Sequence, residues 1–159
     1  MQHDRRSGVF LSLLMLALPA ATACGTSVNE PRSMASVSQL AVLVNDHRRA
    51  VGCSPLSWDS RLAMVAQAHS DDMVRRHYFG HVNPDGKSPF DRMRDAGLSW
   101  NGPAGENLAS SPRGAETVFE SWLASPEHRA NLERCAYTHT AIGVSQGLWT
   151  ELYVANPSP

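Results

Sequence analysis

The fold class is decided by residues 115–155, AETVFESWLASPEHRANLERCAYTHTAIGVSQGLWTELYVA. Apolar residues recur at helical spacing in the first part of this stretch, and the tripeptide SPE at 125–127 ends one helix and caps the next. The period then changes, because residues 140–144 and 149–155 are rich in β-branched and aromatic side chains. The turn residues SQG at 145–147 lie between them, so the two segments predict a β-hairpin.

Upstream of this stretch the periodicity is helical, so the predicted sheet is small. Apolar spacing predicts helices over residues 37–51 and 60–77, and the second of these turns His69 inward. The dipeptide Ser88-Pro89 predicts the start of a further short helix. Helices grouped ahead of a small antiparallel sheet favour an α+β fold over a doubly wound parallel sheet. We place the folded domain at residues 37–156.

Length and charge limit the class of protein. The chain has 159 residues, with 14 Lys and Arg against 15 Asp and Glu, and 42% of its residues are hydrophobic. A chain of this size can bury one hydrophobic core, which favours a single domain. The net charge of -1 excludes a protein that binds nucleic acid through broad attraction to phosphates.

Residues 1–23 have the features of a secretory signal peptide. Arg5 and Arg6 precede an apolar run from Val9 to Leu18, and small residues follow it. A helix that crosses a bilayer needs about 20 apolar residues, so the shorter run favours cleavage over anchoring. We therefore expect the protein to be exported, either to the extracellular space or to the cell surface.

Cys24 follows this segment in the context Ala-Thr-Ala-Cys, which resembles a bacterial lipobox whose cysteine carries a lipid. A lipid on Cys24 would hold the domain on a membrane, with the polar residues 24–36 as a tether. It would also leave Cys53 and Cys135 as an even pair, the form that predicts a disulfide in an exported protein. The alternative is ordinary cleavage near Ala23, which would leave Cys24 as an odd thiol.

Catalytic motifs are scarce. Residues 143–147, GVSQG, match the pattern of a nucleophile elbow, but no histidine follows Ser145, so we interpret them as a turn. Metalloprotease, P-loop and dinucleotide-binding patterns are absent. His77 and His81 are four residues apart, but the glycine between them breaks a helix, so they predict no shared metal ion. His69 is predicted to be a hydrogen-bonded core residue.

The remaining signal is a series of short motifs between about residue 40 and residue 154. The most specific are YFGH at 78–81, GENLA at 105–109, WLASPEHRANL at 122–132 and IGV at 142–144. In order and spacing they resemble the CAP superfamily of cysteine-rich secretory, antigen 5 and pathogenesis-related group one proteins, which carry the SCP domain. The resemblance implies an α-β-α sandwich, with a small antiparallel sheet flanked by helices.

The resemblance also implies a central cleft lined by two histidines and acidic residues. Matched position by position, His81 and His128 correspond to the cleft histidines and Glu106 to the first cleft carboxylate. Two imidazoles and a carboxylate could hold Zn²⁺ and leave one coordination position open. The alternative is that Glu106 and His128 only form hydrogen bonds with nearby backbone.

One acidic position departs from the family pattern. Ser125 stands where the plant and animal members have a second glutamate, and Glu120 and Glu127 are the nearby candidates to replace it. The departure weakens the case for a paired general acid and base. Because the sequence also shows no activated nucleophile, it favours binding over catalysis.

Three classes of function are compatible with these features. The favoured one is a secreted or surface-tethered binding module, whose cleft or flanking groove takes a small apolar ligand such as a lipid. The second is a zinc-dependent hydrolase of cell-envelope or peptide substrates, with Glu106 as the base for a metal-bound water. The third is a scaffold or effector, pinned by its disulfide, that acts through its surface.

Overall fold

The computed structural model of the chain describes residues 30–158. The predicted signal peptide and Cys24 lie outside the described residues. Among residues 30–158, no helix combines the length and the apolar character that crossing a membrane would require.

Helices make up most of the first half of the described chain, and the predicted hairpin closes it. In chain order the elements are α1 (Glu30–Ala50), β1 (Ser57–Trp58), α2 (Ser60–Arg75), α3 (Pro89–Asp95), β2 (Ala104–Ser110), α4 (Ala115–Ala124), α5 (Pro126–Leu132), β3 (His139–Ser145) and β4 (Leu148–Val154).

The four strands form one sheet in the order β1-β3-β4-β2. β3 and β4 form the predicted hairpin through a turn at Gln146 and Gly147, whose φ angles of 45° and 81° suit a two-residue hairpin turn. β2 pairs antiparallel with β4 over seven residues, and the two-residue β1 lies parallel to β3. The GVSQG motif is therefore the end of a strand and a turn, as predicted.

Helices cover both faces of the sheet. Neighbouring residues of a strand point to opposite faces, so Ala141 packs with α2 and α3 while Ile142 packs with α1, α4 and α5. Gly143 allows the close approach of α2 to β3, because a Cβ atom there would clash with the backbone of Gln67. This arrangement is the predicted α-β-α sandwich, and the α+β fold class is confirmed.

Two helix boundaries differ from the predictions. α1 begins at Glu30 rather than near Val37, so residues 30–36 of the predicted polar tether are helical. The proline at position 31 is typical of the first turn of a helix. The prediction missed this start because it gave more weight to the polar composition of the segment. α2 ends at Arg75 instead of His77, because His77 takes a left-handed backbone conformation with a φ of 54°.

A disulfide and a buried arginine secure the C-terminal end of α1. Cys53 and Cys135 form the predicted disulfide, with their Cα atoms 4.9 Å apart and a sequence separation of 82. In the chain-entropy account, closing a loop of this length stabilises the fold by about 4 to 5 kcal/mol. The buried Arg48 guanidinium donates hydrogen bonds to four backbone carbonyls, those of Ser54, Leu132, Arg134 and Tyr137.

Candidate functional site

His81 lies in the loop after α2, and the buried His69 holds that loop in place. The His69 Nε2 donates to the Gly80 carbonyl oxygen at 3.1 Å, and the Tyr78 hydroxyl lies 3.3 Å from Nδ1. The same hydroxyl donates to Asp72 at 2.8 Å. Burial lowers the pKa of His69, which favours the neutral ring. His69 is thus confirmed as a hydrogen-bonded core residue, and it fixes the residue that precedes His81.

Glu106 and His81 are in direct contact. The Glu106 side chain extends from β2 and is only 1% exposed, and its Oε1 accepts a hydrogen bond from the His81 Nδ1 at 2.7 Å. The His81 side chain is 52% exposed, and its Nε2 makes no hydrogen bond within residues 30–158. A carboxylate on one ring nitrogen fixes the tautomer and orientation of an imidazole and leaves the other nitrogen available.

Arg92 is the residue of the cleft that the sequence did not predict. It lies on α3, and its Nη2 donates to the Glu106 Oε2 at 2.6 Å. Its Nη1 donates to the carbonyl oxygens of His81 at 2.7 Å and of Lys87 at 3.1 Å. The guanidinium therefore neutralises the buried carboxylate and also holds the backbone of His81.

His128 is coupled to this group through space. It lies on α5, and its pKa is lowered by burial and, to a smaller extent, by the positive charge of His81. The Asn107 side chain donates to the His128 carbonyl oxygen at 3.1 Å, which ties α5 to the strand that carries Glu106. The structure thus places His81 in contact with Glu106, whereas His128 makes no hydrogen bond to His81 within the described residues and is linked to it only through the effect on its pKa.

The acidic candidates for the fourth position do not contact these histidines by hydrogen bonds within the described residues. Glu120 is exposed on α4, and Glu127 is exposed in the first turn of α5. Glu127 acts on His128 only electrostatically, by raising its pKa. Ser125 occupies the predicted N-cap position of α5, but its side chain makes no capping hydrogen bond.

A buried polar network lies behind the cleft. The Asn131 amide donates to the Asn107 Oδ1 at 2.9 Å, and the Asn107 amide donates to the Tyr153 hydroxyl at 3.2 Å. Tyr153 in turn donates to the Glu151 Oε2 at 2.6 Å, and the Thr140 hydroxyl lies 2.9 Å from the other Glu151 oxygen. Burial raises the pKa of Glu151 to about 7. Asn107 therefore connects the cleft to a titratable group in the core.

The donors present do not fit the three-ligand zinc site that the family resemblance implies. Both Glu106 oxygens are engaged, one by His81 and the other by the permanently charged Arg92. Within residues 30–158, no group of three or more His, Cys, Asp and Glu side chains is placed to hold a metal ion. Zinc binding through His81 and His128 stays a prediction.

A second opening lies between α2 and α3, with a volume of about 750 Å³. Its walls include His69 and Arg92, so it reaches the back of the cleft. The other charged side chains of its wall already have partners, as Arg76 has in Asp85 at 2.5 Å and Asp71 has in Gln67 at 3.1 Å. This opening therefore carries few groups that are free to recognise a ligand.

A third opening, the apolar groove, lies at the opposite edge of the sheet from β2. Its volume is about 530 Å³, and α1, α2, β1 and β3 contribute its walls. Three of its large apolar side chains are unusually exposed, Met34 at 66%, Trp58 at 48% and Met64 at 67%. No motif predicted the groove, because its walls come from segments that are far apart in sequence.

Comparison with known proteins identifies the family. Residues 42–153 match the sequence profile of the CAP family, the cysteine-rich secretory protein family. The chain belongs to this family. Its α-β-α sandwich is thus the fold of a CAP domain.

Two curated relatives of this CAP domain come from Bacillus subtilis. It is 35% identical over 132 residues to the uncharacterized protein YkwD, which covers 81% of this chain and 51% of that protein. It is 34% identical over 119 residues to the uncharacterized membrane protein YlbC, which covers 75% of this chain and 34% of that protein. The chain therefore spans about half the length of these relatives, or less.

Solved structures share the fold. An extracellular protein containing a SCP domain from Bacillus anthracis superposes with a TM-score of 0.79 at 26% identity, covering 86% of this chain and 45% of that one. An outer surface protein from Borrelia burgdorferi superposes with a TM-score of 0.69 at 18% identity, covering 78% of this chain and 95% of that one. The second likeness bears on the fold alone.

Proposed function

We propose that this CAP domain is exported, is held on a membrane by a lipid on Cys24, and binds a small apolar ligand in the apolar groove. The observation that carries the binding role is the exposure of Met34, Trp58 and Met64 around one opening of about 530 Å³. Apolar pockets of several hundred Å³ are typical of small-ligand sites. Export is supported by the signal-peptide features and by the extracellular relative from Bacillus anthracis.

The polar groups of the groove favour an apolar ligand, because they already have partners. The Gln67 amide donates to the Val144 carbonyl oxygen at 2.9 Å and to Asp71 at 3.1 Å, and its oxygen accepts from the Val144 backbone N–H at 3.1 Å. A ligand that enters the groove therefore meets mainly methyl, thioether and ring surface, and it gains free energy by removing that surface from water.

Zinc-dependent hydrolysis is the less supported alternative. It requires Glu106 as a base, but the hydrogen bonds from His81 and Arg92 occupy both carboxylate oxygens. A surface-acting scaffold is the other alternative, and it predicts that changes in the groove leave function intact.

The binding role can be tested with a fluorescent fatty acid, dansyl-undecanoic acid, titrated into the processed Cys24→Ser protein. We expect saturable fluorescence enhancement that Met64→Glu weakens at least tenfold, since losing burial of one such side chain costs about 1.5 to 3 kcal/mol. Val42→Glu is the matched control, because Val42 is also exposed, at 57%, but does not line the groove. His81→Asn should also leave binding unchanged.

Two results would count against this role. Absence of saturable enhancement would exclude a fatty-acid-like ligand. Equal loss of binding in the Met64→Glu and Val42→Glu proteins would show that the probe binds outside the groove.

A further inference from the structure

The exposed side chains of the groove belong to three different elements. Met34 comes from the first part of α1, Trp58 from β1 and Met64 from the outward face of α2. Isolated exposed apolar side chains are ordinary on a protein surface, but a cluster around one opening indicates a contact surface. We call these three residues the rim of the groove.

The rim lies close in sequence to the predicted lipid anchor. Five residues, 25–29, separate Cys24 from the first residue of α1. Their full extension places Glu30 at most about 22 Å from Cys24. Met34 follows about 6 Å further along the helix. A lipid on Cys24 would therefore hold the N-terminal end of α1, and the rim with it, near the bilayer surface.

We propose that Met34, Trp58 and Met64 dock on the surface of the bilayer that holds the lipid of Cys24. This inference rests on the tethered form proposed above. Trp is favoured at the boundary between lipid and water, since its ring is apolar and its N–H is polar, and Met side chains adapt to an irregular apolar surface. The anchor makes the contact between the rim and the bilayer intramolecular. Three apolar side chains are therefore enough to hold the rim on the bilayer, whereas the same domain without an anchor would stay in solution.

The chemistry of the rim indicates lipid rather than a charged partner. Among the side chains that the structure describes, the groove wall holds one acidic group, Asp71, which already accepts a hydrogen bond from Gln67, and it holds no Lys or Arg. Attraction to anionic headgroups is therefore not required. The docking should occur on neutral phosphatidylcholine vesicles.

The test uses the mature acylated protein, with acylation verified by mass spectrometry, in vesicles of phosphatidylcholine with brominated acyl chains, which quench nearby tryptophans. Trp58 is half-exposed on the rim, whereas Trp122 and Trp149 are buried. We expect strong quenching that Trp58→Phe removes and that Met64→Gln reduces. Trp100→Phe, outside the groove, should keep the quenching and serves as the matched control.

Each other outcome overturns the docking in a recognisable way. Equal quenching in the Trp58→Phe and Trp100→Phe proteins would show that the rim is away from the bilayer, while the tether and the ligand site stand. Quenching of the Cys24→Ser protein would mean that the groove extracts lipid without an anchor. A concentration-dependent dimer lost in Met64→Gln would assign the rim to a second copy. An unmodified Cys24 would remove the tether and the docking together.

Discussion

The cleft and the apolar groove lie at opposite edges of the sheet. They differ in whether their side chains already have partners within the protein. In the cleft, Glu106 is 1% exposed and is bonded by both His81 and Arg92. In the groove, Met34 and Met64 are each about two-thirds exposed and have no polar partner to hold them. The Glu106 carboxylate of the cleft therefore already has both of its partners, whereas the groove keeps exposed apolar surface that another molecule could cover.

This difference implies that the cleft contributes mainly to stability and the groove mainly to binding. A buried charge that loses its partner leaves the other charge in a medium of low dielectric constant, which destabilises the fold. Changing an exposed methionine to a polar residue alters the free energy of unfolding little, because that side chain is already in contact with water in the folded protein. We therefore expect changes in the cleft to act on folding and changes in the groove to act on binding.

The largest expected effect comes from Glu106→Gln. The substitution leaves the Arg92 guanidinium, whose side chain is 11% exposed, without a counter-charge. We expect the free energy of unfolding to fall by about 3 to 5 kcal/mol, while fatty-acid binding to the folded protein persists. Urea denaturation at neutral pH measures the first quantity. Glu120→Gln, on the exposed face of α4, is the control. A similarly small change in the free energy of unfolding in both variants would show that the pairing of Glu106 with Arg92 does not stabilise the fold.

The buried network behind the cleft predicts that the free energy of unfolding depends on pH, an effect that we do not expect from the groove. Burial raises the pKa of Glu151 from 4.5 to about 7, so unfolding releases a proton between these pH values. The free energy of unfolding should therefore fall by about 3 kcal/mol as pH rises through this window, and then level off. Glu151→Gln should remove this fall in urea denaturation curves recorded from about pH 5 to pH 8. An unchanged slope would assign the titration to another group.

The parts of the fold with a local signal were predictable from sequence. The hairpin has its β-branched strands and its turn residues next to each other, and Ser88 predicted the start of α3, where the structure has a capping box with Asp91. The disulfide followed from counting cysteines. These features depend on interactions between near neighbours or on one pair of residues.

The strand that carries Glu106 had no such signal. β2 has the sequence AGENLAS, in which Gly, Asn, Glu and Ala are all residue types that strands disfavour. It is a strand because it pairs with β4 along its whole length, with partner residues that lie 38 to 50 positions away in sequence. Arg92 was missed for the same reason, since only the folded chain brings α3 against β2. The groove also depends on such contacts.

The smallest expected effect concerns the two cleft histidines. The pKa of His128 is lowered first by burial and second by the positive charge of His81. His81→Gln should therefore raise the His128 pKa without restoring its ordinary value, because the larger cause remains. Nitrogen NMR titration of the imidazole measures the shift.

Glu127→Gln provides the matched control for this titration, because the Glu127 carboxylate stabilises the protonated ring. Its removal should lower the His128 pKa, opposite to the effect of His81→Gln. An unchanged value in His81→Gln would place the two imidazoles too far apart to interact, and the cleft would then consist of His81, Glu106 and Arg92 alone. Shifts of opposite sign would instead show that His128 senses both neighbours and belongs to the same electrostatic unit.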